Sequence, residues 1–277
     1  MELKSKMVSV ILSTFNNEST IKRCLESVKK QTYKNIEIIV VDEWSKDKTV
    51  DISKSYEVKV FLHGKERANN RNFGIGKAKG DYYLIIDSDM QLQPGIIEEC
   101  VKMCSKKDFD AVVIPEKSVG IGYWANVRAL ERSFYKGDDV VEASRFFKKG
   151  VIKKIGSYDP NIVGAEDWDL HQRILKNRFK IVRIDGYIIH NEGKLSLYKL
   201  LKKKMYYGKA FLEFKKRYPQ VFKKSVIRTA LLKNWYHLIS KPKYGVGVFL
   251  LKFLEGMALF YGMASYSFGY KQKHYLL

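Results

Sequence analysis

Cysteine is scarce in this chain, and its placement argues against a disulfide framework or a zinc site. The 277 residues include three cysteines, Cys24, Cys100 and Cys104, with no Cys-x-x-Cys pair. Cys100 and Cys104 stand four residues apart in a predicted helix, but no histidine lies near them in the sequence to complete a zinc site. We therefore predict buried free thiols in a reducing compartment.

Acidic residues are also few. The chain has 51 Lys+Arg against 30 Asp+Glu, a net charge of +21, and residues 181–277 hold 19 of the basic and 4 of the acidic residues. A field of this sign attracts nucleic acid, anionic lipid or phosphorylated substrates. A lysine-rich proteome with surfaces rich in ion pairs, as in some thermophiles, would also account for part of the excess.

The sequence has no recognisable secretory signal, internal repeat or low-complexity linker. Residues 1–6 are charged, and residues 8–14 have the character of a strand rather than of the apolar core of a signal peptide. We expect this part of the chain to stay in the cytoplasm. Hydrophobic residues make up 45% of the chain, enough for a sizeable core.

Strand-like apolar runs alternate with helical patterns through the first 90 residues. The predicted strands are 8–13, 36–41, 58–62 and 82–86, and the predicted helices between them are 16–31, 46–56 and 67–79. This alternation predicts βαβ units, a mostly parallel sheet and a doubly wound α/β fold, in which ligands bind at the carboxyl ends of the strands. Three such ends, near residues 13–16, 42–45 and 87–89, are polar.

Less regular elements follow. We predict a strand at 110–115, a helix at 122–135, a turn at Gly150 between segments 144–148 and 151–155, an amphipathic helix at 164–177, and a hairpin of segments 179–184 and 187–190 around Asp185-Gly186. After Gly193 the pattern becomes basic and helical, over 195–218 up to Pro219 and over 226–239. A break at residues 241–243 precedes an apolar stretch at 246–268.

Acidic clusters follow two of these strands. Asp87-Ser88-Asp89 stands directly after an apolar strand, where paired oxygen ligands suit Mg²⁺ or Mn²⁺ bound to a diphosphate. Asp42 ends another strand, where an acid can accept hydrogen bonds from a nucleotide base or ribose, while Asp47 fits a helix N-cap. A solvated turn is the ordinary alternative for an isolated Asp-Ser-Asp, but the position of the other polar strand ends favours the functional interpretation.

A third acidic cluster and a histidine lie further along the chain. Glu166, Asp167 and Asp169 fall in the first turn of a predicted helix, where the helix dipole favours acids. The dipole explains one acid better than three, and a carboxylate placed there could take a proton from an attacking hydroxyl. His190 ends a short strand, and beside an acidic loop it suits a metal ligand, although a lone histidine is more often structural.

The order of these motifs resembles family 2 glycosyltransferases of the GT-A fold. Residues 8–49 (VSVILSTFNNESTIKRCLESVKKQTYKNIEIIVVDEWSKDKT) resemble the N-terminal half of that family, and residues 71–90 (RNFGIGKAKGDYYLIIDSDM) resemble the segment leading into its DxD motif. GAEDWDLHQRI resembles its acidic acceptor-side motif, and HNEG its late histidine. The likeness covers about residues 7–215 and extends to archaeal members related to dolichyl-phosphate sugar synthases.

The resemblance implies a role for each candidate residue. The nucleotide-sugar donor, a UDP- or GDP-sugar, would be bound by Thr14, Asn16, Asp42, Arg67, Arg71, Asn72, Asp87 and Ser88. Thr14, Asn16 and Asp42 would line the base and ribose pocket, and the arginines would face the diphosphate. Asp89 and His190 would hold Mn²⁺ or Mg²⁺. Asp167 would be the general base, with Glu166 orienting it or the acceptor.

The implied reaction is a single displacement with inversion at the anomeric carbon. The metal neutralises charge on the departing diphosphate, and Asp167 deprotonates the acceptor hydroxyl. If the acceptor is a lipid phosphate, which is already ionised, Asp167 would position it instead. One departure stands out, because Trp44 replaces a glycine of many relatives. If that glycine needs a positive φ, the loop should follow a different path here, which affects base preference more than the fold.

The C-terminal third suggests a membrane partner. We predict a GT-A domain over 1–193 and a basic amphipathic region over 194–277, with its helices lying on an anionic membrane surface and the protein peripheral on the inner face of the cell membrane. Aromatic residues such as Trp235, Phe249 and Phe268 suit an interface. Two alternatives stay open: helices packed on the catalytic domain or a second copy, and a helix that spans the bilayer, which Lys252 and Glu255 disfavour.

Other functions compete with this interpretation. A nucleotidyltransferase making the nucleotide sugar would carry a Gly-rich, basic loop after the first strand, where this chain has STFNNES. A nucleic-acid-binding protein lacks a recognisable module here, and the acidic clusters would repel phosphates without a metal, so we expect no nucleic-acid partner. A catalytically dead sugar-binding relative is disfavoured by the presence of Asp89, Asp167 and His190.

Overall fold

The computed structural model of the chain describes residues 6–138, 141–227 and 236–267. Its strands are β1 Val8–Thr14, β2 Ile36–Asp42, β3 Lys59–Leu62, β4 Tyr82–Asp87, β5 Met90–Leu92, β6 Ala111–Val113, β7 Glu116–Ile121, β8 Ser144–Lys148, β9 Ile181–Arg183 and β10 Ile188–Lys194. Its helices are α1 Ile21–Lys29, α2 Thr49–Lys54, α3 Arg67–Lys77, α4 Ile96–Lys106, α5 Tyr123–Ser133, α6 Lys149–Ile155, α7 Glu166–Lys176, α8 Leu197–Tyr206, α9 Gly208–Arg217, α10 Pro219–Ile227, α11 Tyr236–Ser240 and α12 Pro242–Ser267.

A large mixed sheet organises the part of the chain that carries the acidic clusters. Within the described residues it has seven strands in the order β3-β2-β1-β4-β8-β6-β9. The first four run parallel to one another, β8 is antiparallel to both neighbours, and β6 pairs in parallel with β9. The predicted α/β class with a mostly parallel sheet is therefore confirmed, and the carboxyl ends of β1, β2 and β4 meet at one edge.

Apolar side chains cover both faces of this sheet, which is why β1 and β4 read as continuous apolar runs. On one face, strand residues such as Val10 and Leu84 pack with Cys24 of α1 and Cys100 of α4. On the other face, Ile11 and its neighbours pack with residues of α3, α6 and α7. The predicted buried free thiols are confirmed for all three cysteines, and burial raises the pKa of the Cys104 thiol to about 12.

A small second sheet has the order β5-β10-β7. Strand β10 pairs antiparallel with β5, which sets His190 opposite Met90. The backbone N–H of Asn191 donates to the carbonyl of Asp89 at 2.9 Å. This pairing brings the late histidine to the loop that follows β4.

The chain divides into two compact units that alternate along the sequence. Unit 1 comprises residues 1–117, 141–160 and 166–191, and unit 2 comprises residues 118–140, 161–165 and 192–277. Unit 1 contains the large sheet with α1–α4, α6 and α7, and unit 2 contains α5 and α8–α12. Whether a catalytic domain and a membrane-associated region meet at residue 193, as the sequence predicts, stays a prediction.

Two predictions for the middle of the chain are wrong. Gly150 lies inside helix α6 rather than in a turn, because burial of Val151 and Ile152 in the core offsets the weak helix propensity of one glycine. Segments 179–184 and 187–190 form no hairpin with each other. The first supplies β9 beside β6 and the second supplies β10 beside β5, so long-range pairing overrides the Asp-Gly turn signal.

The long helix predicted over 195–218 is divided. Helix α8 ends at Tyr206 and α9 begins at Gly208, whose added Cβ would lie 2.4 Å from the backbone of Gly262 in α12. Pro219 begins helix α10 instead of merely ending α9, since proline is tolerated in a first helical turn. The predicted helix 226–239 falls largely on residues 228–235, which lie outside the described residues, as do Trp235 and Phe268.

Candidate active site

The loop after β2 is fixed by one buried carboxylate. Asp42 is fully buried, and its two oxygens accept hydrogen bonds from the backbone N–H of Ser45 at 2.7 Å and from its hydroxyl at 2.6 Å. The hydroxyl of Ser45 also accepts from the N–H of Asn16 at 2.7 Å, and Asn16 Oδ1 accepts from the N–H of Lys46 at 2.9 Å. Asp42 and Asn16 thus shape the predicted base pocket, and their direct contact with a nucleotide stays a prediction.

Trp44 occupies the outer turn of this loop. It has φ +60°, a left-handed conformation that costs a residue with a Cβ about 1–2 kcal/mol, and its side chain is 56% exposed. The expected change of loop path is therefore not needed, because the tryptophan itself adopts the conformation that favours glycine. The hydrogen bonds of Asp42 and Asn16 on either side hold the loop in place.

Asn17 connects the first and fourth strands, and sequence reasoning missed it. Its Oδ1 accepts hydrogen bonds from the hydroxyls of Ser88 at 2.8 Å and of Thr14 at 3.3 Å, and from the N–H of Phe15 at 3.2 Å. Thr14 and Ser88 are 5% and 3% exposed, so both serve here as internal links between strand ends. The Asn-Asn pair after β1 was the available signal.

A single buried guanidinium, that of Arg71, joins the acidic cluster at residues 87–89 to the one at residues 166–169. Arg71 is fully buried, and its Nη2 donates to Asp87 Oδ1 while its Nη1 donates to Asp167 Oδ1, both at 2.8 Å. The guanidinium lies 5.1 Å from the ring centroid of Tyr158. Asp87, at the end of β4, and Asp167, at the start of α7, stand 80 residues apart in the chain and are thus held side by side.

Positive charge dominates the electrostatics around Asp87. Burial by itself would raise its pKa, but the charges of Arg71, Arg67 and Arg145 outweigh burial and hold the pKa of Asp87 well below its usual range. Burial would lower the pKa of Arg71, and Asp167 and Asp87 raise it well above its ordinary value instead. Asp87 and Arg71 are therefore fixed charges that stay ionised at neutral pH.

Glu166 and Asn72 are anchored in the same place. Glu166 is 2% exposed and lies 3.0 Å from Arg67 Nη2 and 3.6 Å from Arg71 Nη1. The side chain of Asn72 donates to the carbonyl of Tyr158 at 2.8 Å and accepts from its N–H at 3.0 Å. The side chains of Arg71 and Asn72 thus contact protein groups, and so does that of Arg67, although it is 38% exposed. Their contacts with a diphosphate stay predictions.

Asp89 and His190 lie together at the predicted metal position. His190 Nε2 is 3.2 Å from Asp89 Oδ2, and His190 Nδ1 is 3.0 Å from Glu116 Oε2. Arg145 holds Glu116 through Nε at 2.9 Å and Nη2 at 2.6 Å. Sequence reasoning missed Glu116 and Arg145, which come from other strands and stand in no motif.

These residues fit a divalent cation. Asp89 Oδ1 is buried and accepts no hydrogen bond from the described residues. Two ligands bound at right angles, about 2.1 Å from one ion, lie about 3 Å apart, close to the separation of Asp89 and His190. No group of three or more His, Cys, Asp or Glu in the described part of the chain is arranged as a metal site, so water or substrate oxygens would complete the coordination.

Comparison with known proteins decides the family. The model of glycosyl transferase family 2 matches residues 9–157, more than half of the chain. The chain belongs to glycosyl transferase family 2. Glycosyltransferase GlyG of Streptococcus pneumoniae is 36% identical over 47% of this chain and 43% of its own length. An uncharacterized glycosyltransferase of Rickettsia typhi is 30% identical over 62% of this chain and 59% of its own.

The match to these two relatives spans about half of their length. An archaeal relative, an uncharacterized glycosyltransferase of Methanocaldococcus jannaschii, is 26% identical over 68% of this chain and 71% of its own. The predicted relation of this chain to dolichyl-phosphate sugar synthases stays a prediction.

Solved structures confirm the GT-A fold. A mannosyltransferase from Pyrobaculum calidifontis, in complex with GDP-Man and Mn²⁺, has a TM-score of 0.66 at 15% identity, covering 96% of the present chain and 88% of its own. TarS 1–349 of S. aureus, in complex with UDP-GlcNAc, has a TM-score of 0.58 at 17% identity, covering 98% and 93%. At these identities the likeness shows the fold alone.

Proposed function

We propose that this glycosyltransferase is a metal-dependent inverting hexosyltransferase that uses a UDP- or GDP-sugar and glycosylates a lipid-linked acceptor. The observation that carries the proposal is the bridge through Arg71, which holds Asp87 and Asp167 at 2.8 Å each. Asp87 stands on the donor side and Asp167 on the acceptor side of the family pattern. Their adjacency supports a direct displacement, in which the acceptor oxygen bonds to the anomeric carbon as the nucleoside diphosphate departs with its bonding electrons.

The chain's own residues would divide the remaining work. Arg71 binds one oxygen of Asp167, and the side chain is 25% exposed, which leaves the other oxygen for an acceptor hydroxyl. Asp167 would receive that proton, and Glu166 would keep Arg67 and Arg71 in place. Asp89 and His190 would hold Mn²⁺ or Mg²⁺, which when bound neutralises charge on the diphosphate. Glu116 would orient the imidazole of His190 through Nδ1.

The proposed donor and location have separate support. Two proteins of the same fold were solved with GDP-Man and UDP-GlcNAc, so a guanine or uracil nucleotide is the first choice. The basic C-terminal third and one apolar helix, Pro242–Ser265, favour a peripheral location on an anionic membrane, where a lipid-linked acceptor would be met. That helix is the one segment of the described residues that is long and apolar enough to cross a bilayer.

The first test is a donor panel. Purified protein with Mn²⁺ is incubated with UDP-, GDP- and dTDP-sugars, and the released nucleotide is measured. Slow release from one donor, abolished by EDTA, would identify the base and the sugar. If no donor is turned over even after a membrane lipid extract is added, the proposed transfer is wrong. A product that retains the anomeric configuration would overturn the inverting mechanism.

Asp167→Asn is expected to lower kcat on a hydroxyl acceptor by about 100- to 10,000-fold, because the amide cannot accept the proton. Asparagine still offers an oxygen to Arg71, so the fold should persist. On an ionised phosphate acceptor the same variant should keep much of its activity. The matched control is Asp51→Asn, at an exposed position of α2. Near-normal turnover of Asp167→Asn on a hydroxyl acceptor would remove Asp167 from the role of base.

Trp44→Gly is expected to separate stability from donor binding. Relief of the left-handed strain should raise Tm by about 2–4 °C. We also propose that the exposed indole stacks on the base, so its loss should weaken nucleotide binding at least about fivefold. Trp44→Ala is the matched control, because it loses the indole but keeps the Cβ at positive φ. Calorimetric titration with the nucleotide and thermal melts give both readouts, and unchanged affinity in Trp44→Gly would exclude a stacking role.

A further inference from the structure

Helix α12 of unit 2 presents an apolar face to solvent. Its exposed large side chains recur at intervals of three and four residues, so they lie on one side of the helix. They are Val246, Phe249, Leu250, Phe253, Met257, Phe260 and Tyr261, here named the outer stripe. Phe249 and Phe253 are each 66% exposed and Phe260 is 73% exposed. The outer stripe runs for about 22 Å at the rise of an α-helix.

The two charged residues within the apolar length of α12, Lys252 and Glu255, point away from the outer stripe. Lys252 pairs with Glu131 of α5, and Glu255 lies 2.7 Å from Arg128 of the same helix. The side chains of Lys252 and Glu255 are 18% and 5% exposed. Their ion pairs with α5 fix the rotation of α12 about its axis. Lys252 and Glu255, which disfavour contact with lipid in the sequence, therefore do not lie on the exposed face of the helix.

Glycines on the inner face allow α12 to pack closely on its neighbours. A Cβ added at Gly247 would lie 2.5 Å from the hydroxyl of Tyr123 in α5, and one added at Gly262 would lie 2.2 Å from the carbonyl of Met205 in α8. This packing within unit 2 leaves no freedom for the outer stripe to turn inward. An exposed apolar surface of this extent marks an interaction site.

We propose that the outer stripe lies in the plane of a membrane interface that contains anionic lipid, with the phenylalanines at the level of the acyl chains. Charge complementarity selects this occupant, since residues 181–277 carry a net charge of +15. Lys241 and Lys243 are exposed at the start of α12, where they can meet lipid phosphates while the outer stripe enters the apolar layer. The inference rests on the membrane location proposed above and adds the face that makes contact.

Charge also disfavours the other occupants. A second copy of the chain would bring two strongly basic regions together, at a cost in repulsion. A spanning α12 would draw α8, with Lys202, Lys203 and Lys204, into the hydrocarbon, because the two helices pack together. An in-plane position keeps the lysines of α8 in water and buries only the outer stripe.

Vesicle binding by the full chain tests the proposal. Co-sedimentation is measured with phosphatidylcholine vesicles and with vesicles that also contain phosphatidylglycerol. We expect binding to the anionic vesicles, a loss of about tenfold or more for Phe253→Glu or Phe260→Glu, and a loss of about fivefold for each of Lys241→Gln and Lys243→Gln. The matched control is Leu175→Glu, at a leucine that is 44% exposed on α7, and it should bind as the wild type does.

Four results would overturn the proposal. The first three are absence of wild-type binding to anionic vesicles, wild-type binding by Phe253→Glu and Phe260→Glu, and a wild-type dimer in sedimentation velocity that Phe253→Glu dissociates. Resistance of the bound protein to alkaline extraction would also overturn it in favour of a spanning helix. Donor hydrolysis without lipid, measured on the same preparations, verifies that the variants are folded. It also keeps failure of vesicle binding separate from failure of the proposed transfer reaction.

Discussion

Arg71→Met is expected to lower the free energy of unfolding by about 3–5 kcal/mol and to abolish most of the activity. Methionine fills much of the space but leaves Asp87 and Glu166, which are 16% and 2% exposed, without the guanidinium between them. Like charges that stand this close in a buried site repel strongly. Asp167 would also lose the hydrogen bond that fixes its orientation. Urea denaturation followed by circular dichroism measures the loss.

Two variants make the result specific to Arg71. Arg71→Lys keeps the charge but cannot reach Asp87 and Asp167 with two separate nitrogens, so we expect an intermediate loss of stability. Arg23→Met changes an exposed arginine of α1 and should alter the free energy of unfolding by less than about 0.5 kcal/mol. The double variant Arg71→Met/Asp87→Asn should recover part of the stability, because one of the uncompensated charges is gone. A free energy of unfolding for Arg71→Met close to that of the wild type would contradict this account.

Asp89→Ala is expected to lower metal-dependent turnover by about 100- to 1,000-fold. The variant removes the buried oxygen that has no hydrogen-bond partner among the described residues, and with it half of the Asp89–His190 pair. The free energy of unfolding should change little or rise, since an unsatisfied buried oxygen disappears. Nucleotide release from the best donor measures turnover. Electron paramagnetic resonance of Mn²⁺ with nucleoside diphosphate reports metal binding independently of activity.

The pair should behave as one unit. The turnover of the double variant Asp89→Ala/His190→Ala should be little lower than that of Asp89→Ala alone, because the effects of residues that act together are not additive. Glu116→Gln should lower metal-dependent turnover by about 10- to 100-fold, because Glu116 orients the imidazole of His190. Asp51→Ala, at an exposed position of α2, is the control and should match the wild type. Metal binding by Asp89→Ala at wild-type affinity would assign the metal to other residues.

Local patterns predicted the parallel core well. The apolar runs of β1, β2 and β4 are buried on both faces of the sheet. A continuous apolar run therefore predicts both a strand conformation and a central position in the sheet. The polar residues just after them fall at one edge because parallel strands end together. Asp167 was placed correctly at the start of a helix by its position in an acidic first turn.

The sequence did not predict strand pairings and side-chain contacts between residues far apart in the chain. His190 was assigned to a hairpin with its neighbour in the chain, whereas its strand pairs with the three-residue β5, which is too short to leave a pattern. Glu116 and Arg145 lie on β7 and β8, which bring them to the site. Local sequence patterns do not predict the order of these strands in the sheets. Arg71 looked like a donor-facing charge, and its complete burial depends on carboxylates 16 and 96 residues away.

The interleaving of the two units also limits how this chain can be divided or recombined. Helix α5 of unit 2 is inserted between segments of unit 1, so no single crossover point separates unit 1 from unit 2. Ending the chain at residue 193 would keep α5 but remove Glu255 and Lys252, the ion-pair partners of Arg128 and Glu131. Arg128 and Glu131 would then be left without those partners. Exchange of unit 2 as a whole therefore requires three separate segments of the chain to be replaced together.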